Sequence, residues 1–303
     1  MTRRQLLQAA AAAALPLRTR AASAPSYNFP TDPNQRIAVA SYPFRDFLRP
    51  KKGSLTLLDF PKMVADRFGV FAIEPLDTHF PSLDSSYLDK LKKALDAAHS
   101  RVANIPVGRL RASFYDPNPE KRKLAVDDAR RWVDAAATLG APSIRAHIRE
   151  AQGAKPDAQL AASALTSLAV YGESRNIVIT LENDDPRSEE GSFIGDVLSA
   201  ANNPWLRALP DFCNSMLAGK GADYNDEVLT RLFSRAYSIC HVKDSEDDGP
   251  KHYTVDTTRI FEIAHAAGFR GFYSMEWDAS GDPYSNTAHL VELTRKALAG
   301  AVS

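Results

Sequence analysis

From residue 36 onward the chain alternates two kinds of hydrophobic pattern. Short apolar and β-branched runs fall at Arg36–Tyr42, Val70–Pro75, Arg101–Pro106, Pro142–His147, Ile177–Glu182, Leu206–Asp211, Tyr237–Val242 and Gly271–Glu276. Runs this short and continuous predict strands buried on both faces, as in a parallel sheet. Between them lie longer stretches whose apolar residues recur three and four apart, the spacing of one helix face. Leu88, Leu91, Leu95 and Ala98 recur this way in Leu83–His99, and Leu124, Trp132, Val133 and Ala136 in Glu120–Leu139, which stops at Gly140. Leu58–Phe68, Asp157–Ser174, Phe193–Ala201, Asp226–Arg235, Thr258–Ala267 and Asn286–Leu298 complete the helices. Asp157, Asp226 and Thr257 are placed to cap three of them.

Eight strand–helix units in one series predict a single α/β domain, a closed (β/α)8 TIM barrel over residues 36–303. A doubly wound open sheet is the rival, and it wants a glycine-rich turn after its first strand. Here that turn reads Ser41-Tyr42-Pro43-Phe44-Arg45, with no glycine. No Pro/Gly/Ser-rich linker divides the series.

The pattern is different before residue 25. Arg3-Arg4 precede Leu6-Leu7 and the run Ala9–Ala14, and the segment ends in the small residues Ala22-Ser23-Ala24. A basic start, an apolar middle and a small-residue end predict a signal peptide over residues 1–24. The paired arginines are like those of twin-arginine signals, which export folded proteins to the periplasm. An alanine-rich helix of a cytoplasmic protein is the alternative. Residues 25–35 are then an N-terminal extension. The full chain has 37 basic and 37 acidic side chains. The first 24 residues hold four arginines and no acid, so their removal leaves 33 against 37 and a net charge near −4.

The remaining composition, 44% hydrophobic and 24% charged, is that of an ordinary globular chain. No apolar stretch reaches the ~18 residues of a membrane span. A mildly acidic chain has no electrostatic reason to bind nucleic acid. Oligomeric state is not readable. Export would permit a disulfide between Cys213 and Cys240. Alternation along a strand turns Cys240 away from an inward His241, while Cys213 shares the direction of Asp211, so two buried free thiols are expected.

Barrel active sites lie at the C-terminal strand ends. Four consecutive strands end in Glu182, Asp211, His241 and Glu276, at intervals of 29, 30 and 35 residues. Each interval is about one βα unit, so the four side chains should reach one side of the mouth at one height. Singly, each has a structural explanation, such as a helix cap or an ion pair. Three carboxylates gathered without a counter-ion would repel one another, and a divalent cation resolves the repulsion. Oxygen ligands with one imidazole suit Mn2+ or Mg2+ best, with Zn2+ or Co2+ as alternatives.

The segments Leu181-Glu182-Asn183, Pro210-Asp211-Phe212-Cys213-Asn214, His241-Val242-Lys243-Asp244 and Met275-Glu276-Trp277 resemble the metal-binding segments of the xylose isomerase-like TIM barrel superfamily. Ser41–Arg45 and Leu139–Arg145 are similar to its first and fourth strands, and the resemblance covers roughly residues 36–299. It implies that Glu182, Asp211, His241 and Glu276 bind one metal in a sugar isomerase or epimerase. Two departures stand out: Asn214 where sugar epimerases of the group often carry histidine, and Asp184-Asp185 where many relatives have a histidine. Lys243 resembles the lysine of the inosose dehydratase branch.

A metal chelated by a carbonyl and its neighbouring hydroxyl would acidify the adjacent C–H. Glu182 and Glu276 are then the candidate bases, with Lys243 as a proton donor or, more plainly, an ion-pair partner of Asp244 or Asp211. Tyr42, Arg45, Glu74, His79, Arg145, His147, Asn214 and His252 are the candidate substrate contacts. A periplasmic address favours a non-phosphorylated sugar or keto-sugar as the small-molecule partner. A lyase or dehydratase acting on a keto-glycoside would use the same four ligands. Two readings from other classes are a sugar-binding protein without catalysis and an apurinic-endonuclease-like nuclease. The nuclease would want a basic face and several more histidines than the seven present.

Overall fold

The computed structural model describes residues 23–49 and 53–300. Its barrel strands are β1 (Ile37–Ala40), β2 (Ala72–Glu74), β3 (Arg101–Val102), β4 (Ile105–Val107), β5 (Ser143–Ala146), β6 (Val178–Glu182), β7 (Leu206–Leu209), β8 (Ile239–Val242) and β11 (Phe272–Met275). They run parallel in two arcs, β3-β2-β1-β11-β8 and β4-β5-β6-β7. Single bridges Ala208–Ala236 and Asp211–His241 join β7 to β8. On the other side β3 and β4 are one barrel strand broken at Ala103-Asn104. Its first half pairs with β2 and its second with β5. The expected strand Arg101–Pro106 therefore bends as it passes from one neighbour to the next.

Outside lie α1 (Phe60–Phe68), α2 (Ser85–Ala97), α3 (Pro119–Leu139), α4 (Ala158–Arg175), α5 (Gly191–Ala201), α6 (Ala222–Phe233), α7 (Thr257–Ala266) and α8 (Pro283–Gly300). Pro61 and Pro119 stand in first turns, where a missing N–H costs nothing. Gly140 ends α3 at φ 72°, a conformation in which a side chain would be strained. Asp157 caps α4 by accepting from Gln159 N and Leu160 N, as expected. Two expected caps are corrected. Asp226 lies inside α6, and Thr257 is the first residue of α7, whose cap is Asp256 accepting from Arg259 N.

Strand alternation divides the interior into layers. Ala38, Ala72, Ala103, Leu209, Ile239 and Phe272 form a small apolar layer at the N-terminal end of the strands, closed by Tyr27 and Phe29. The N-terminal extension reaches this position because Tyr27 N donates to Tyr237 Oη at 2.9 Å and Phe29 packs edge-on against Tyr237 and Phe272. Ser23 also donates to Glu173, and Trp205 Nε1 donates to the Ser23 carbonyl. The end of the expected signal segment, Ser23-Ala24, is thus adjacent to the barrel. Residues 1–22, which carry the rest of it, lie outside the described residues.

One step further along the same strands, the inward side chains become Glu74, Asn104, Thr180, His241 and Ser274, all buried. Their neighbours in the chain, Cys240, Val242, Tyr273 and Met275 among them, belong to the core between strands and helices. Cys213 and Cys240 are free and buried, as expected. A hairpin not anticipated from the sequence, β9 (Ser245–Asp248) with β10 (Lys251–Thr254), rises after β8 over a turn at Gly249, φ 59°. Among the described residues, no helix is long and apolar enough to cross a membrane.

Candidate metal centre and active site

Glu182 ends β6, Asp211 follows β7 after Pro210, His241 is the third residue of β8, and Glu276 follows β11. All four are buried, and one ligand atom from each lies within 4.8 Å of the others. His241 Nδ1 is the centre of the group. It stands 2.8 Å from Glu182 Oε1, 3.0 Å from Glu276 Oε2 and 3.9 Å from Asp211 Oδ2.

Asp211 shows which of its oxygens is committed. Oδ1 accepts from Cys213 N and Asn214 N at 2.8 and 2.7 Å, a turn that starts the short helix Asn214–Ala218. Oδ2 is buried and, among the described residues, accepts no hydrogen bond; its nearest cation is the Lys243 ammonium at 3.5 Å. A buried carboxylate oxygen without a hydrogen bond, grouped with two other carboxylates and an imidazole, is costly unless a cation meets it more closely. The donor set, three carboxylates and one ring nitrogen, fits a divalent metal of hard or borderline character.

The ring is held from behind. His241 Nε2 lies 3.0 Å from both oxygens of Glu74, which also accepts from Ser274 Oγ at 2.6 Å and Asn104 Nδ2 at 2.8 Å. Glu74 is fully buried, so its expected substrate contact is corrected: it orients the imidazole and fixes Nδ1 toward the carboxylates. Sequence reasoning missed this because β2 and β8 are far apart in the chain and strand-end position alone does not give depth in the barrel.

Burial and charge separate the four groups chemically. Burial pushes Glu182 up to about 7, although Arg145 and His241 oppose it. Burial also raises Asp211, against Lys243. Glu276 suffers the same burial, but His241 and Lys243 outweigh it and hold its carboxyl near 2. His241 is raised well above the ordinary imidazole range by Glu182, Glu276 and Glu74 despite burial. Without a metal, a proton on this ring is the counter-ion of the cluster; metal and proton compete for the same place.

Lys243 points inward with His241. Burial alone would lower its pKa, but Asp211, Glu276 and Glu246 raise it well above the ordinary value, so it is an ammonium. Nζ donates to Asn214 Oδ1 at 2.9 Å and Glu246 Oε2 at 3.0 Å, with Asp211 and Glu276 at 3.5 Å. Of its expected partners Asp211 is near. Asp244 instead accepts from Ser245 and lies beside His289, because it points out of the barrel. Asn214 also donates to Glu182 Oε1 at 3.2 Å, which ties it to the cluster.

The other expected contacts divide into two groups. Tyr42 and Arg45 both donate to Asp278, at 3.0 and 2.9 Å, two residues beyond Glu276. His79 is buried next to them, with Nδ1 2.8 Å from Ser41 Oγ. Arg145 and His147 are held by acids of the loop after β6. Arg145 Nη2 donates to Asp184 at 2.6 Å and Glu189 at 2.8 Å, and Nε makes an ion-pair approach to Glu182 at 2.9 Å without hydrogen-bond alignment. His147 Nδ1 lies 2.7 Å from Glu189. Glu189, in the loop after β6, captures both because it is itself fully buried. His252 stands apart from these. It is exposed on β10 and bonded to Asp247, without contact to the metal cluster.

Strand count, order and closure agree with one known family. The xylose isomerase-like TIM barrel family matches residues 64–298. The chain belongs to this family. A xylose isomerase-like TIM barrel protein from Mycobacterium smegmatis, solved with magnesium, has a TM-score of 0.70 at 17% identity, over 88% of this chain and 97% of that one. L-ribulose 3-epimerase has a TM-score of 0.69 at 12% identity, over 88% and 95% of the two chains. 3-keto-D-glucoside 4-epimerase from E. coli, in its apo form, has 0.65 at 15%, over 86% and 99%. At these identities the likeness is one of fold. No curated protein matches the sequence.

Proposed function

We propose that this family member is a divalent-metal-dependent isomerase or epimerase of a non-phosphorylated sugar or keto-sugar, exported by its N-terminal segment to the periplasm. The observation that carries the reading is the convergence of Glu182, Asp211 and Glu276 on His241 Nδ1, with Asp211 Oδ2 accepting no hydrogen bond among the described residues. The four residues would hold Mn2+ or Mg2+. Bound there, the metal would acidify the C–H beside a sugar carbonyl and stabilise the resulting enediolate.

The chain supplies the proton chemistry. Glu182, with its carboxyl near neutrality, can accept a proton and return it. Glu276 stays ionised and faces it across His241, which suits a base on the opposite side of a bound sugar. Lys243, held as an ammonium by Glu246 and Asn214, can donate to a substrate oxygen. That same ammonium supports the second reading, a keto-glycoside lyase or dehydratase, in which it would protonate the departing oxygen. The sugar epimerases among the structural relatives agree with the lead in reaction class.

Solvent deuterium exchange tests both readings. Candidate ketoses and 3-keto-glycosides in D2O with manganese should gain deuterium beside the carbonyl, and chelator should stop it. Glu182→Gln should slow exchange at least ~100-fold, the usual contribution of a positioned base. No exchange into any of these substrates would overturn the proposal; exchange accompanied by loss of the aglycone would select the lyase.

A further inference from the structure

We infer that the barrel mouth carries a carboxylate-binding subsite beside the metal cluster, so that the substrate is an acidic sugar. A cavity of about 320 Å3 opens where the loops after β1, β2 and β4 meet, lined by Arg45, Asp46, Arg49, Thr78, His79 and Arg109. Three of these six residues are guanidinium groups. Like charges repel, and a trio collected in one concavity is a ready receptor for an anion.

The pairing of these arginines sets the charge of the ligand. Arg45 is matched by Asp278 at 2.9 Å and stacks over the Tyr42 ring at 4.2 Å. Arg49 is matched by Asp46, an exposed pair one helical turn apart that holds it loosely. Arg109 Nη2 donates only to the Thr78 carbonyl, and no carboxylate lies within ion-pair distance of its guanidinium among the described residues. Asp46 and Asp278 answer two of the three arginines, and the buried Asp77 accepts from the Arg109 backbone N at 2.6 Å, so the Arg109 guanidinium alone lacks a carboxylate at ion-pair distance. One such guanidinium suits the single charge of a carboxylate better than the double charge of a phosphate ester. His79 adds a ring whose Nδ1 is taken by Ser41 and whose Nε2 has no hydrogen-bond partner among the described residues.

The subsite adjoins the metal cluster through one residue. Asp278 receives Arg45 on one oxygen and Tyr42 on the other, and it follows Glu276 by two positions. A sugar with its carbonyl end over the metal ligands would have its far end near these arginines. The inference rests on the proposed sugar chemistry for its biological meaning, but its test does not need the metal.

Calorimetric titration of the full chain with D-glucuronate, D-glucose and D-glucose 6-phosphate supplies that test, run once in chelator and once with magnesium. D-Glucuronate should bind at least about tenfold more tightly than D-glucose in both conditions, as a charge-assisted pair requires. Arg109→Ala and Arg49→Ala, both exposed positions, should each reduce that preference, Arg109→Ala nearly abolishing it. The subsite is overturned if D-glucuronate and D-glucose bind equally, if neither variant changes the preference, or if D-glucose 6-phosphate binds more tightly than D-glucuronate. Deuterium exchange into neutral ketoses with no D-glucuronate preference would refute the subsite while leaving the proposed function standing. Arg109-dependent anion binding in a protein that takes up no metal would do the reverse.

Discussion

Two carboxylate clusters stand side by side at the mouth of this barrel, and they are neutralised differently. In one, Glu182, Asp211 and Glu276 surround His241; in the other, Asp184 and Glu189 surround His147. The second cluster contains its own fixed cation, since Arg145 donates to both of its acids and spends its remaining nitrogen near Glu182. The first has only a proton on His241 and the edge of Lys243, and among the described residues it leaves Asp211 Oδ2 without a hydrogen bond. A cluster closed by arginine is scaffold. One that leaves a buried oxygen open has a place for an exchangeable cation. Acidic residues gathered around a histidine therefore do not by themselves identify a metal site; the unfilled acceptor does.

The sharpest way to break this contrast is to remove one charge from each cluster and measure the metal-free protein. Arg145→Met leaves Glu189 and Asp184 buried without their counter-ion, which should cost about 3–5 kcal/mol in a urea titration with chelator. Asp211→Asn should stay within about 1 kcal/mol of wild type, because a carbonyl oxygen can still accept from Cys213 N and Asn214 N while one of three crowded buried carboxylates loses its charge. The same Asp211→Asn protein should hold no manganese in a dialysis assay, whereas wild type should take up one ion per chain. Equal destabilisation by the two substitutions would mean that the clusters are not different in kind.

A smaller effect tests whether the first cluster is arranged for a metal or merely tolerates one. Glu74 touches no ligand other than His241, whose Nε2 it meets with both oxygens. Glu74→Gln keeps the size of the side chain and weakens that hold, so manganese affinity should fall roughly 10–100-fold. Folding stability in chelator should change much less than affinity. An unchanged manganese dissociation constant would show that Glu74 only fills space beneath the ring.

Much of this was legible in the sequence, for a physical reason. Parallel barrel strands are buried on both faces, so their runs are short and apolar, and the polar residue that ends each run marks the active end. Glu182, Asp211, His241 and Glu276 could be read in this way because each lies at or within two residues of a strand's C-terminal end. Glu74 ends a strand as well, yet β2 stops one layer deeper, and only three dimensions show that it meets His241 and not the solvent. Glu189 and Glu246 sit in loops, where no periodicity marks a buried carboxylate. The ties of Arg145 and His147 to Glu189 were not visible for that reason, since Glu189 is 44 residues away from Arg145 in the chain. The β9–β10 hairpin is polar on both faces, reading Ser-Glu-Asp-Asp and Lys-His-Tyr-Thr, so it carries no hydrophobic alternation to find.

A third histidine extends the comparison to a positive surrounding. Carboxylates raise His241 and His147, with burial opposing them; His79 has no such neighbours, and burial together with Arg109 pulls its pKa down to about 4. In the unfolded chain the ring returns to its ordinary value near 6.5. Between those two values the unfolded state binds a proton that the folded state refuses, so stability rises with pH through this window. His79 contributes its full share above about pH 6.5, and the share is lost as pH falls toward 4. Wild type should therefore lose more stability than His79→Gln on going from pH 7 to pH 5, by roughly 1–2 kcal/mol in chelator and low salt. The carboxylate-ringed histidines respond in the opposite sense, since their protonated forms are the ones the fold favours. Identical pH profiles for wild type and His79→Gln would place His79 in contact with water, and would remove the neutral wall from the arginine-lined cavity.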